Sequence, residues 1–255
     1  MLLIKNSALA MFSLWAMALY ASDSLDKELE EADVVETDLR QIQAPTWVDI
    51  ISAKEQWPQL DMPLLSLGDR FIFDPFKAVI PHPFTMMKYE VSCYQMLHSG
   101  VLSSLRKQTL NALCEFDMNE AVTGVSFNEA KQYCQSFKAR LPTEAQWVWA
   151  ASHASKGWLQ DHGILKGANK AVKDNFAAYK VPVNEAISGP FGVQGLYGNV
   201  WEMTADKWGS NNMQQIVKGG AFDLAESAWL MHPYYRAAFN QEDIHNQNVG
   251  FRCIK

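Results

Sequence analysis

Few stretches of this chain can start a regular helix, and that scarcity limits its fold more than any other feature. Ser126 stands before Asn128–Lys138 (NEAKQYCQSFK) with Glu129 three residues on, the reciprocal arrangement in which a hydroxyl and a carboxylate satisfy free amides at a helix start. Thr143 follows Pro142 and precedes Gln146 in the same way, so a second helix is predicted through TEAQWVWAASHA. Apolar spacing is also compatible with a helix over Ser92–Leu105. Between Arg70 and Val91, aromatic and aliphatic residues alternate among Pro75, Pro81 and Pro83, which reads as short strands. Beyond the TEAQW helix the chain turns rich in Gly and Asn with little periodicity, and no internal repeat appears. Such a pattern predicts an α+β domain carrying large ordered loops.

A chain of 255 residues with 48% hydrophobic residues can nonetheless bury a large core, which removes disordered and fibrous classes. Nine Trp, eight Tyr and thirteen Phe supply the rigid fillers that irregular loops need. The formal charge of −6 comes without any run of Lys or Arg, so nucleic acid is not an expected partner.

The N-terminus reads as an address. Lys5 precedes an apolar run from Ala8 to Tyr20, and Ala21 precedes the polar Ser22 and Asp23. This predicts a secretory signal peptide over residues 1–21, cleaved after Ala21, which would take the charge from −6 to −7. The alternative is an uncleaved anchor, but a run of about thirteen residues falls short of the ~20 that span a bilayer. No later stretch looks membrane-spanning. Residues 22–40 are strongly acidic and read as a solvated leader, so residues 22–64 are taken as an N-terminal extension and 65–255 as the domain. Periplasmic or secreted location follows. In such a compartment Cys93, Cys114, Cys134 and Cys253 suggest two disulfides, with three pairings open. No Cys-x-x-Cys pair supports structural zinc or thioredoxin-like chemistry.

Four blocks in order carry a resemblance: Lys88–Ser92 (KYEVS), Val122–Ala151 (with RLPTEAQW), Phe191–Asp206 (with GNVWE), and Val217–Phe222 (VKGGAF) closing on Gly250–Cys253 (GFRC). Together they resemble the formylglycine-generating-enzyme, or sulfatase-modifying-factor, family. The resemblance implies an irregular single α+β domain of the sulfatase-modifying-factor, C-type-lectin-related type with little regular secondary structure. It also implies the pairing Cys134–Cys253, and with it Cys93–Cys114. The first would close a loop of about 120 residues and stabilise by roughly 4–5 kcal/mol in the chain-entropy model. Arg140 beside Glu144 suggests a scaffold ion pair, and the five-donor fork of Arg252 suits several loop carbonyls.

The family's catalysts use two cysteines between the G-G block and G-F-R, which bind copper(I). The corresponding segment here, residues 221–249, has no Cys; the two positions align with Asp223 and Ala228, or with Leu224 and Trp229. Formylglycine generation is therefore not expected, nor is copper. Asp223, Glu226, His232 and Arg236 are the weak catalytic candidates left in the segment; His232 and Arg236 would share a face only in a helix, which Pro233 opposes. Trp229, Tyr234 and Tyr235 are candidates to line a groove. For calcium, the resemblance carries the carbonyls of Gly198 and Val200 and the carboxylate of Glu202, but the family's ligating Asn is Gly195 here. Water or Asp206 would have to replace that oxygen, since Ca²⁺ takes six to eight; otherwise Glu202 caps backbone amides. The expected function is an exported module that binds a protein or small-molecule ligand or assists maturation. The competing expectation is a cysteine-independent periplasmic oxidase of the pyoverdine-maturation type.

Overall fold

The structure, a computed structural model, describes residues 44–50, 59–62, 65–66, 72–73, 76–80, 82–114, 117–152, 180–209, 213–224, 228–233 and 235–255. The predicted signal peptide, the acidic leader, Glu226 and Tyr234 lie outside these residues, as does the side chain of Trp229. Internal contacts divide the chain into two units, 1–44 and 45–255, and the strands and helices named below all belong to the second.

Strand β1 (Trp47–Asp49) pairs antiparallel with β6 (Thr85–Met87), with Val48 opposite Met86. Between them, β2 (Gln59–Met62) pairs with β5 (Phe76–Val79), and β3 (Leu65–Ser66) with β4 (Ile72–Phe73). Helices α1 (Cys93–His98), α2 (Ser104–Leu113), α3 (Phe127–Ser136) and α4 (Glu144–Ser152) follow. The last sheet has the order β10-β7-β8-β9, built from β7 (Trp201–Lys207), β8 (Gln214–Lys218), β9 (Ala237–Asn240) and β10 (Val249–Gly250). Its β7–β8 and β8–β9 pairs are antiparallel, β10 runs parallel to β7, and the β7–β8 register shifts between Met203 and Lys207. Helices and short strands are thus joined by long irregular connections in an α+β fold.

The capping residues decide where helices begin. The Ser126–Glu129 box is formed in both directions, and Thr143 and Gln146 exchange the equivalent pair of hydrogen bonds at 3.1 and 3.2 Å. The continuous helix predicted over Ser92–Leu105 is instead two. Ser92 caps α1 in a box with Gln95, the chain turns at Gly100 with φ +77°, and Ser103 caps a new helix that the apolar pattern did not announce. A left-handed residue cannot sit inside a right-handed helix, so the turn overrides the periodicity.

Both disulfides have the implied partners. Cys93–Cys114 ties the start of α1 to the end of α2, and Cys134–Cys253 ties α3 to the C-terminal segment, 119 residues later. Around the second lies the larger core cluster, which includes Val91, Met96, Leu110, Tyr133, Trp201, Met203 and Phe251. A second cluster centres on Trp147 of α4 with Ile80, Phe84, Met86, Leu196 and Tyr197.

Candidate functional site

Among the buried side chains of helix α4 are two that stand one turn apart, Glu144 and Trp147, exposed by only 2% and 0%. Each enters a different cluster of buried charge.

Trp147 leads to the first. Its indole N–H donates to Glu202 Oε2 at 3.0 Å, and Arg252 grips the same carboxylate through Nε and Nη2, both at 2.7 Å. The remaining guanidinium hydrogens go to the carbonyls of Met87 and Lys88 at 3.2 Å and of Gln194 at 2.6 Å. All five donors of Arg252 are spent, the carbonyl role the sequence suggested plus an ion pair it did not. Glu90 is a second carboxylate in this cluster. Its Oε1 accepts from Asn199 Nδ2 at 3.1 Å, whereas Oε2 has no hydrogen-bond partner and lies 3.8 Å from Arg252. Burial drives the Glu90 carboxyl up to about 8, against the pull of Arg252 and with a further push from Glu202. The neutral acid is therefore the form that fits this pocket at neutral pH.

Gly195 is where the resemblance placed a calcium-binding Asn. Its φ is +77°, and a Cβ there would overlap the Glu90 carboxylate, so a side chain at this position would be strained and would need Glu90 to move aside. Glu202 has both oxygens committed to Arg252 and Trp147 rather than to backbone amides. Asp206 accepts from the Glu144 amide at the other cluster. The residues present therefore do not fit a calcium ion drawn at Gly198, Val200 and Glu202.

Glu144 leads to the second cluster. Lys218 of β8, fully buried, donates to its Oε1 at 3.3 Å, and Arg236 binds it in two places, through Nε at 2.9 Å and through Nη2. Two cations flank one carboxylate, which holds Glu144 below the usual carboxylate range despite its burial. Burial pulls Lys218 down to about 8, opposed by Glu144. His232 is 5% exposed; burial, with Lys218 adding to it, takes its imidazole down to about 4, so it is neutral near pH 7. The predicted Arg140–Glu144 pair does not form. Arg140 donates instead to Gln146 Oε1 at 2.9 Å and to the Leu141 carbonyl at 3.2 Å, because Glu144 points inward to Lys218 and Arg236.

The outer side of the second cluster opens on a cleft of about 590 Å³, bordered by Arg140, Glu144, Asp206, Lys207 and Arg236 over Ile80, Phe84 and Ile216. Glu144 thus belongs at once to the buried cluster and to the cleft wall.

The other candidates are spread out. Asp223 lies in a three-ten turn, exposed, and accepts from Asn248 Nδ2 at 2.7 Å. His232 follows the three-ten turn Ala228–Met231 and Arg236 precedes β9, so the two never share a helix face. Tyr235 is half-buried with its ring 5.9 Å from that of Trp201. Every cysteine of the chain is consumed in a disulfide. Glu90, Asn199, Lys218 and Trp147 were missed as site residues, although each stands inside a recognised block. Their signal was a polar or aromatic residue set among buried apolar neighbours.

Known proteins are similar to this chain in sequence and in fold. Mouse formylglycine-generating enzyme is 27% identical over 164 residues, covering 53% of this chain and 44% of the mouse protein. The bovine inactive C-alpha-formylglycine-generating enzyme 2 is 31% identical over 148 residues, covering 52% of this chain and 49% of its own length. The chain thus spans about half the length of the curated relatives it matches. Among solved structures, PvdO from Pseudomonas aeruginosa superposes with a TM-score of 0.59 at 15% identity, over 83% of this chain and 94% of PvdO. Treponema denticola variable protein 1 gives 0.52 at 14% identity, over 83% and 99%. These two likenesses are of fold. The sulfatase-modifying factor enzyme 1-like domain matches residues 64–255, and the chain belongs to that family.

Proposed function

We propose that this chain is an exported sulfatase-modifying-factor-like protein that binds a ligand or assists the maturation of another protein, and does not generate formylglycine. One observation carries the reading. All four cysteines are locked in two disulfides, and the segment 221–249, where the family's catalysts keep their thiol pair, contains none. The segment's one sulfur is the Met231 thioether, so it has no thiolate to bind copper(I) and no thiol to pass electrons toward oxygen. The likeness to a mammalian relative named inactive adds support, because the family includes members that bear the fold under that description. Two disulfides are the state an oxidising compartment favours, in keeping with export to a periplasm or beyond.

The test is direct. Purified chain is incubated with a Cys-containing sulfatase peptide and copper, and the peptide is weighed for the aldehyde. No aldehyde is expected, and its appearance would overturn the reading. A second reading, a cysteine-independent tailoring oxidase of the pyoverdine-maturation type, draws on one feature: Asp223 is an exposed carboxylate, oriented by Asn248, at a position aligned with a lost cysteine. Stoichiometric iron or copper in the purified protein would favour that alternative.

A further inference from the structure

We infer that the cleft beside helix α4 is a binding site for a small organic oxyanion, a carboxylate carried on an apolar body. Two guanidinium groups border this cleft, and the first turn of one helix pins both. Glu144 holds Arg236 through Nε and Nη2, and Gln146 holds Arg140 through Nη1. Arg236 Nη1 and Arg140 Nε and Nη2 keep donors with no hydrogen-bond partner among the described residues. Arg236 remains 38% exposed although its carboxylate partner is 3% exposed, so the free side of its fork meets solvent in the cleft. A pair of guanidinium forks fixed before a ligand arrives loses little entropy on binding, and their geometry suits a planar carboxylate.

The charge of the wall agrees. Four cations, Arg140, Arg236, Lys207 and Lys255, line it against two carboxylates: Glu144 is paired with Lys218 and Arg236, and Asp206 accepts from the Glu144 amide and keeps its charge, which acts on Arg140. Lys207 is exposed, and the Lys255 ammonium lies 4.1 Å from the centre of the Trp47 ring. The amides at the start of α4 are capped by Asp206 and Thr143, so the site depends on the arginines and not on the helix terminus. Pro83, Ile80, Phe84 and Ile216 form the apolar part of the lining. A volume of about 590 Å³ lies within the range of small-molecule sites.

The inference rests on the binding-module reading only for its biological sense. Its test measures binding alone, so its failure is distinguishable from the appearance of aldehyde. Benzoate is titrated into the full chain and followed by amide chemical shifts, with benzamide as the neutral isostere. Benzoate is expected to shift resonances of residues 140–146 and 206–207 saturably, and benzamide to bind at least about tenfold more weakly. Arg140→Gln is expected to weaken benzoate about fivefold or more, and Lys207→Gln, at an exposed position whose loss does not threaten folding, about twofold. Equal binding of benzamide, the absence of a saturable shift, or benzoate affinity unchanged in the folded variants would each overturn the proposal.

Discussion

Two carboxylate clusters share the interior of this molecule, and their numbers of acidic and basic side chains are mirror images. Around Trp147, two acids, Glu90 and Glu202, face one guanidinium, Arg252, and each of these three side chains has 0% exposure. Around Glu144, one acid faces two cations, Lys218 and Arg236, and Arg236 reaches solvent. The clusters meet in the sheet, where Glu202 on β7 is in register with Lys218 on β8. They also meet on α4, which supplies both Trp147 and Glu144. Taken together they hold three acids and three bases, but Glu90 keeps its proton at neutral pH, so the first cluster is balanced by Glu202 and Arg252 while the second keeps a net positive charge. The first is closed and fully committed to tying loops together. The second keeps one cation, Arg236, partly in water at the border of the cleft.

The largest effect should come from breaking the closed cluster. Arg252→Met would strand two carboxylates and leave the carbonyls of Met87, Lys88 and Gln194 without their donor. Removing one partner of a buried pair costs about 3–5 kcal/mol, a large part of a typical domain's stability. Loss of soluble folded protein, or a collapse of the urea midpoint, is the expected result. Lys218→Met should cost less, about 1–3 kcal/mol, because Glu144 keeps both of its bonds to Arg236. Equal losses for the two variants would refute the difference between closed and open clusters.

The pH dependence separates the clusters by sign. Glu90 has a folded value raised to about 8, so between pH 4.5 and 8 the folded state keeps a proton that the unfolded chain has released. Its contribution is present in full below pH 4.5 and is lost as pH rises through 8, by about 1 kcal/mol per unit across the window. Lys218 is depressed from 10.5 to about 8, so in that higher window the unfolded chain binds the extra proton and stability rises with pH. Neutral His232 has the opposite sign to Glu90 below pH 6.5, so urea midpoints should stay level from pH 5 to 6.5, fall to pH 8 and then recover. Glu90→Gln should flatten the falling limb and Lys218→Met the rising one. A Glu90→Gln variant that keeps the falling limb would assign the proton elsewhere.

Much of this arrangement was legible in local sequence, and the unread part has a physical reason. Ser126 with Glu129, and Thr143 with Gln146, marked two helices because capping bonds span three residues and need no tertiary partner. The Ser103 start was passed over because Gly100 interrupts what looked like one apolar stripe. Arg252 was read as a clamp for carbonyls, but its Glu202 partner lies 50 residues away. Glu144 was given to Arg140, its near neighbour, whereas Arg236 wins it from 92 residues away. Charge pairing in an irregular domain is set by which loops share a core, and spacing along the chain does not encode that. Glu226 and the side chain of Trp229 lie outside the described residues, so those candidates stand as sequence readings.

The smallest effect expected is that of calcium, and it tests whether the first cluster is as closed as its hydrogen bonds indicate. A cation at Glu202 would have to displace Arg252 from an interior carboxylate and leave a guanidinium bonded to three carbonyls alone. A site with Kd near 10 μM would contribute about 2.7 kcal/mol at 1 mM Ca²⁺, which for a domain of this size corresponds to a rise in Tm of roughly 5–10 °C. The melting temperature in 1 mM CaCl₂ should instead match that in EGTA to within about 1 °C. A rise of several degrees would mean that the unpartnered Oε2 of Glu90 serves as a metal ligand and that Arg252 shares its carboxylates. In that event Glu90→Gln should abolish the rise, and the first cluster would join the second as a site open to an ion.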